Sequence, residues 1–86
     1  MTIEGLDIVV SGGKAKLTAR SYNKSNPSMY RAGTAQHKVA VMNKAKADRI
    51  LNSLNSTGSY TNSSGMRTYM NGKQEAVFGS EAWKTQ

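Results

Sequence analysis

The stretch Leu6–Lys24, LDIVVSGGKAKLTARSYNK, decides the fold that we predict for this chain. Gly12 and Gly13 form a two-residue turn, and pairing Val10 with Ala15 across it gathers the apolar residues of both strands on one side of a β-hairpin. Because side chains alternate between the faces of a strand, the second strand then shows a basic row on the other side. That row consists of Lys14, Lys16, Thr18, Arg20, Tyr22 and Lys24.

The same register extends along both strands and explains both faces. It places Ile8 opposite Leu17 and Leu6 opposite Ala19, and it leaves Asp7 as the only acid that the first strand sets among the cations of the outer face. We therefore predict a hairpin that packs one face on the core and turns a basic face outward.

A third strand and one helix are predicted to complete the core. Gln36–Met42 alternates and contains β-branched residues, which favours a strand. Asn43 is then the N-cap of a helix of about 12 residues over Lys44–Asn55, where apolar residues recur at helical spacing. The alternative is a single helix over Thr34–Leu54, because short apolar runs suit strands and helices alike. The apolar stripe of the helix is Ala47, Ile50, Leu51 and Leu54.

A second hairpin is predicted after a polar loop over Asn55–Gly65. Asn71 and Gly72 form the dipeptide that most strongly favours a hairpin turn. A two-residue turn at this point sets Tyr69 opposite Gln74.

Together these elements predict one small α+β domain over residues 1–86, in which an antiparallel sheet packs on the helix. The C-terminal hairpin extends or flanks that sheet. Ser80 is predicted to cap a last helical turn, whose Trp83 pins the C-terminus to the core. A chain of this length buries only a small core, so we expect marginal stability. A homodimer, or the partner itself, would add the apolar contacts that such a core lacks.

The distribution of charge gives the main indication of function. Lys and Arg outnumber Asp and Glu by 12 to 5, and no acid lies between Asp7 and Asp48. A block of one sign favours a polyanion or an acidic protein surface as the partner, whereas evenly spread charge would only serve solubility. The block contains Lys14, Lys16, Arg20, Lys24, Arg31, Lys38, Lys44 and Lys46.

The composition argues against several other functions. The chain has no cysteine, one histidine and five acids, which do not supply a metal site, and it contains no cofactor motif. The lack of cysteine, of a secretory leader and of an apolar run of ~18 residues predicts a soluble, cytoplasmic protein without a membrane segment.

His37 is the candidate general base of a small ribonuclease beside Tyr30, Arg31 and Lys38. Since it has no evident titrating partner, we predict no enzymatic activity.

We therefore expect a non-enzymatic binding protein that engages the backbone of DNA or RNA through the basic face of the sheet. Cations two or four residues apart on a strand lie about 7 to 14 Å apart, which is comparable to phosphate spacing. Lys44 and Lys46, in the first turn of the predicted helix, would add a secondary clamp, and Tyr22 or Tyr30 would stack on bases. The predicted binding residues are Lys14, Lys16, Arg20, Tyr22, Lys24, Tyr30, Arg31, Lys38, Lys44 and Lys46.

An interaction protein is the alternative. Tyrosine, methionine and arginine are enriched at protein interfaces, and this chain has more large side chains in predicted loops and outer faces than a small core needs. Such a protein, of the viral or mobile-element type, would inhibit a host nucleic-acid-handling enzyme by occupying an acidic or nucleic-acid-binding surface.

Overall fold

The computed structural model describes residues 1–85 and contains two three-stranded antiparallel sheets around one long helix. The protein is thus mixed α and β, but with two sheets in place of the single predicted one. The elements are β1 (Thr2–Ile3), β2 (Leu6–Ser11), β3 (Lys14–Leu17), α1 (Ala19–Lys24), a 3-10 helix (Pro27–Met29), α2 (Ala35–Thr57), β4 (Ser59–Thr61), β5 (Met66–Tyr69), β6 (Gln74–Ala76) and α3 (Glu81–Lys84).

Two tight turns build the first sheet, whose strand order is β1-β2-β3. Residues 4–5 and 12–13 all have positive φ, which is the conformation that a two-residue type I′ turn requires. The predicted pairs Val10–Ala15 and Ile8–Leu17 are confirmed. The predicted pairing of Leu6 with Ala19 is wrong, because β3 ends at Leu17 and Ala19 is the first residue of α1; Leu6 pairs with Ile3 of β1 on its other side. The turn at residues 4–5 and the short strand β1 are additions to the predicted hairpin.

The second strand of this hairpin is shorter than predicted. β3 ends at Leu17, and Thr18 caps α1 by accepting a hydrogen bond from the Ser21 backbone N–H on its Oγ1 (3.4 Å). The Oγ of Ser21 accepts a hydrogen bond from the backbone N–H of Asp7 (2.8 Å). This side chain takes the place of the backbone carbonyl that a longer β3 would offer to Asp7. Three predicted members of the basic strand face therefore lie on a helix: Arg20, Tyr22 and Lys24.

The predicted third strand is wrong, because Gln36–Met42 belongs to α2, a single helix of 23 residues. Thr34 is its N-cap and accepts from the backbone N–H of His37 (3.2 Å), whereas the predicted N-cap Asn43 lies inside the helix. Gly58 ends the helix in the left-handed conformation, with φ 83°. Alanine, glutamine, lysine and methionine surround the two valines of the segment, and their helix propensity outweighs the β preference of valine. The alternative single-helix prediction is the closer one.

α2 packs its buried stripe on the inner face of the first sheet. The predicted stripe is confirmed, since Ala47, Ile50 and Leu54 are buried and Leu51 packs beside them. Each fully buried isoleucine or leucine contributes about 1.5–3 kcal/mol to stability. The core cluster consists of Ile3, Leu6, Ile8, Ala15, Ala47, Ile50 and Leu54.

A second sheet, in the order β4-β5-β6, takes Ser59–Thr61 from the predicted polar loop Asn55–Gly65. α2 continues to Thr57, and β4 follows at once because Gly58 reverses the chain. Tyr60 of β4 pairs with Thr68 of β5 and donates a hydrogen bond from its hydroxyl to the Glu4 carboxylate (2.6 Å). Burial and this bond to Glu4 raise the pKa of Tyr60. The bond joins the second sheet to the first turn of the chain.

The C-terminal hairpin is confirmed, but its register differs by one residue from the prediction. Gln74 lies opposite Thr68, not Tyr69, because the loop has three residues and not two. The Tyr69 N–H donates to the Lys73 carbonyl (2.9 Å), and Gly72 has φ 86°, as the last residue of a three-residue hairpin loop requires.

The end of the chain is held differently from the prediction. Ser80 caps α3 as expected, since its Oγ accepts from the Trp83 N–H (3.3 Å). Trp83 does not pin the helix to the core, because its side chain is 42% exposed and packs on the exposed ring of Phe78 at a centroid distance of 4.6 Å. Instead, buried Ala82 donates its N–H to the Ser64 carbonyl (2.8 Å).

Candidate functional site

A groove of about 570 Å³ lies between β3, α1 and α2, and we call it the β3–α2 groove. Its floor is apolar, with Leu17 from the sheet and Ala47 and Leu51 from the helix. Its rim is basic, since Lys14 and Lys16 of β3 and Lys44 of α2 line it. Tyr22, Asn23 and Ser25 close it on the side of α1.

Lys14 and Lys16 bring their charge to one exposed strand face. They are two residues apart on β3, so their side chains share a face about 7 Å apart, opposite to buried Ala15. Neither forms an ion pair within residues 1–85, where the ion pairs are Lys44–Asp48 and Arg67–Glu75. This part of the predicted basic row is thus present and not neutralised.

Lys44 enters the groove with an acid beside it. Its Nζ lies 3.6 Å from Oδ2 of Asp48, and both side chains are well exposed (60% and 62%). An exposed pair of this kind contributes little to stability, because water screens both charges. Asp48 also lines the groove and reduces its positive charge.

Tyr22 is the exposed aromatic residue of the groove. It stands on α1 with 59% of its surface exposed, although a ring of this size usually seeks a packed environment. The cap at Thr18 turns the chain into α1 and so places Tyr22 beside the lysines of β3.

Ser25 contributes a hydroxyl without a partner. The residue is 7% exposed, and its Oγ is buried with no hydrogen bond to any residue that the structure describes. Buried hydroxyl groups are normally hydrogen-bonded, because leaving one unpaired costs stability. Ser25 follows α1 and lies at the groove lining.

Asn55 closes the edge of β3 next to the groove. The Ala15 N–H donates to Asn55 Oδ1 (2.7 Å), and Asn55 Nδ2 donates to the Ala15 carbonyl (3.0 Å). The amide side chain therefore binds the strand edge as a neighbouring strand would. Another strand cannot pair at Ala15 without displacing it.

The other predicted cations lie elsewhere. Lys24, Tyr30 and Lys46 line a second groove, in which the Lys46 Nζ donates to the Glu4 carbonyl (3.4 Å). Residues two apart on a helix point about 200° apart, so Lys44 and Lys46 face opposite flanks of α2 and do not form the predicted clamp. Both lie in the middle of α2, not in its first turn.

Three predicted cations line neither groove. Arg20 lies two residues before Tyr22 on α1 and so points away from the β3–α2 groove. Arg31 is exposed after the 3-10 helix, and Lys38 is exposed on α2. The structure therefore brings together Lys14, Lys16, Tyr22 and Lys44, and it separates the remaining predicted residues from them.

Several groove residues were missed by the sequence analysis. Asp48, Leu51 and Asn55 continue from Lys44 at helical spacing along one flank of α2, and this pattern was readable once a helix was assumed. Ser25 carried no such signal, because its burial depends on how α1 packs.

His37 lies in the first turn of α2, partly buried. Among residues 1–85, no three His, Asp or Glu side chains are grouped closely enough to hold a metal ion. None of the helices in the described part of the chain has the length and apolar character of a membrane span.

The chain matches no known protein family, no curated protein and no solved structure.

Proposed function

We propose that this protein is a non-enzymatic nucleic-acid-binding protein that engages the phosphate backbone of DNA or RNA at the rim of the β3–α2 groove. The observation that carries the proposal is the meeting of Lys14 and Lys16, both without a carboxylate partner in the described chain, with the exposed ring of Tyr22. Cations spaced like phosphates beside an aromatic ring are the basic components of a nucleic-acid-binding groove.

The remaining positive charge supports this assignment through its long-range field. The chain carries a formal net charge of +7, and the described cations outside the groove include Arg20, Lys24, Arg31 and Lys38. A field of one sign increases the rate at which a polyanion meets the protein, even where individual cations make no contact.

Salt dependence is the first test. If three lysines neutralise three phosphates, raising the salt concentration from about 50 to about 200 mM lowers the affinity about 20- to 40-fold. Fluorescence anisotropy with labelled DNA and RNA oligomers measures this directly. Affinity that does not change with salt contradicts a backbone contact.

A pair of matched charge reversals locates the site. Lys14→Glu with Lys16→Glu is expected to weaken binding more than about tenfold, since it reverses both cations of the strand face. Lys73→Glu with Lys84→Glu makes the same change in net charge in the second hairpin and α3. This control is expected to weaken binding only slightly. Equal losses in the two double variants contradict a localised site.

A protein partner is the second candidate, and the outer face of α2 favours it. Val41 and Met42 are exposed there (49% and 65%) next to the cation Lys38. An exposed apolar and basic face fits an acidic surface on a host nucleic-acid-handling enzyme, which the protein would inhibit by covering it. This candidate predicts no affinity for bare nucleic acid, together with recovery of one host enzyme that Met42→Glu no longer binds.

A further inference from the structure

The interior of the β3–α2 groove differs from its rim. Phosphate groups are satisfied by the lysines at the rim and gain nothing from the apolar floor of Leu17, Ala47 and Leu51. A volume of about 570 Å³ falls in the range of sites that enclose small organic groups. The floor therefore fits an apolar, flat part of a ligand whose charged part lies outside.

The buried hydroxyl of Ser25 indicates that this ligand also carries a polar edge. Ser25 Oγ is the buried side-chain polar atom without a hydrogen-bond partner in the part of the chain that the structure describes, and its residue lies at the groove lining. The Oγ is closed to solvent in the free protein, so the Ser25 side chain must rotate about χ1 before a donor or acceptor of the ligand can satisfy it.

The edge of β3 restricts what can enter. Asn55 already binds both backbone groups of Ala15, so an added β-strand does not find a free edge at this residue. A nucleobase needs no strand edge, because it has flat apolar faces and a polar rim of donors and acceptors. Its flat face suits Tyr22 and Leu51, and its rim suits Ser25.

We propose, building on the function above, that the β3–α2 groove binds an unpaired nucleotide. The base enters the groove beside Tyr22 and hydrogen-bonds Ser25, while the adjoining phosphates lie on Lys14 and Lys16. A duplex keeps its bases stacked and paired, so it reaches the rim but not the interior. The protein therefore prefers single strands to duplexes.

The experiment compares three probes by anisotropy at low salt: a labelled 12-mer of oligothymidylate, a duplex of the same length, and thymidine 5′-monophosphate as an unlabelled competitor. We expect the single strand to bind at least about tenfold more tightly than the duplex, which is the effect of one or two stacked bases. If the mononucleotide displaces the oligomer, a single nucleotide is enough for binding. If it does not displace the oligomer, binding requires a longer stretch of single strand. Either result supports the groove as the base site when the variants below behave as expected.

Two variants test the interior, with Phe78→Ala as the control for an exposed aromatic residue outside the groove. Tyr22→Ala is expected to lower single-strand affinity about 5- to 100-fold and to reduce the preference over duplex. Ser25→Ala is expected to raise the Tm of the free protein, because it removes a buried unpaired hydroxyl, and yet to weaken single-strand binding severalfold.

The outcomes separate this inference from the proposed function. Salt-dependent binding with equal affinity for single strand and duplex, unchanged by Tyr22→Ala and Ser25→Ala, overturns the base site and leaves backbone binding intact. No binding of any probe overturns both. A gain in Tm for Ser25→Ala without loss of binding shows that the hydroxyl is unrelated to the ligand and overturns its assigned role.

Discussion

The two sheets of the protein have the same number of strands but are held together in different ways. The first sheet packs Leu6, Ile8 and Ala15 against buried residues of α2, so its stability comes from apolar burial. In the second sheet the buried strand residue is polar, Thr68, and the Gln74 side chain donates to its hydroxyl (3.2 Å). The first sheet thus supplies residues of the core itself, whereas the second only packs Tyr60 against that core and depends more on hydrogen bonds.

Electrostatics follows the same division. On the second sheet Tyr69 and Arg67 both hydrogen-bond the carboxylate of Glu75, and these bonds lower the pKa of Glu75. On the first sheet Lys14 and Lys16 have no acid beside them in the described chain. The region with the stronger core is therefore also the one that leaves its charges free for a partner.

The largest effect is expected from the core of the first sheet. Ile50→Ala removes a side chain that is fully buried in α2, which costs about 2–5 kcal/mol and in a domain of this size threatens the whole fold. Chemical denaturation measures the loss, and hydrogen exchange should show faster exchange in both sheets. Val41→Ala on the exposed face of α2 is the control. Faster exchange in the first sheet alone would mean that the second sheet folds without this core.

Gly65→Ala tests the second region separately. A Cβ at Gly65, where φ is 91°, would lie 2.2 Å from the Cβ of Ser80, the cap of α3. Left-handed strain and overpacking together cost about 2–4 kcal/mol. Exchange should accelerate in β5, β6 and α3 while the amides around Ile50 stay protected.

Gly72→Ala is the matched control for this variant. Gly72 has a similar φ of 86°, but a Cβ there meets nothing within 4 Å. It is expected to cost only the backbone strain of about 1–2 kcal/mol. Equal losses at the two glycines would show that the contact with Ser80 is not important.

A smaller effect is expected at the edge of the first sheet. Asn55→Ala removes two hydrogen bonds to the Ala15 backbone, which together contribute about 1–3 kcal/mol, and leaves the N–H and the carbonyl of Ala15 to water. It also frees a strand edge, so we expect concentration-dependent association by light scattering. Asn52→Ala, three residues earlier on an exposed position of α2, should change neither quantity. A stable, monomeric Asn55→Ala variant would contradict the role of the amide as a substitute strand.

The smallest effect on stability is expected from the two ion pairs, and their effects on binding should differ. Asp48→Asn and Glu75→Gln each break an exposed pair whose charges water screens, so neither variant should shift the midpoint of chemical denaturation measurably. Asp48→Asn also removes the only acid that lines the β3–α2 groove within the described chain, so nucleic-acid affinity should rise severalfold. Glu75→Gln should leave affinity nearly unchanged. A loss of affinity in Asp48→Asn would place the partner elsewhere.

Much of the local structure was predictable from the sequence. The Gly12-Gly13 turn specified the register of β2 and β3, and the helical spacing of Ile50 and Leu54 specified the core face of α2. In both cases a local preference and the burial of apolar residues act in the same direction. The mixed α and β class and the presence of the C-terminal hairpin follow from the same kind of signal.

The failures have two physical causes. The alternation at Gln36–Met42 predicts a strand. The segment instead forms the beginning of a long helix capped at Thr34, and two of its alternating residues, Val39 and Val41, are exposed there. The end of β3 depended on Ser21 replacing a strand neighbour of Asp7, which is a tertiary contact that no pattern in the sequence reports. The predicted site was wrong at the same point, because Arg20 and Lys24 lie on α1 and not on the strand face.

The simple order of the strands has a consequence for folding kinetics. In both sheets every strand pairs only with a strand that precedes or follows it in the chain, so each pairing closes a short loop. Folding rates decrease as the sequence separation between contacting residues increases, and such a topology is expected to fold on the order of milliseconds. The main refolding phase in a stopped-flow experiment should therefore be over within the first second.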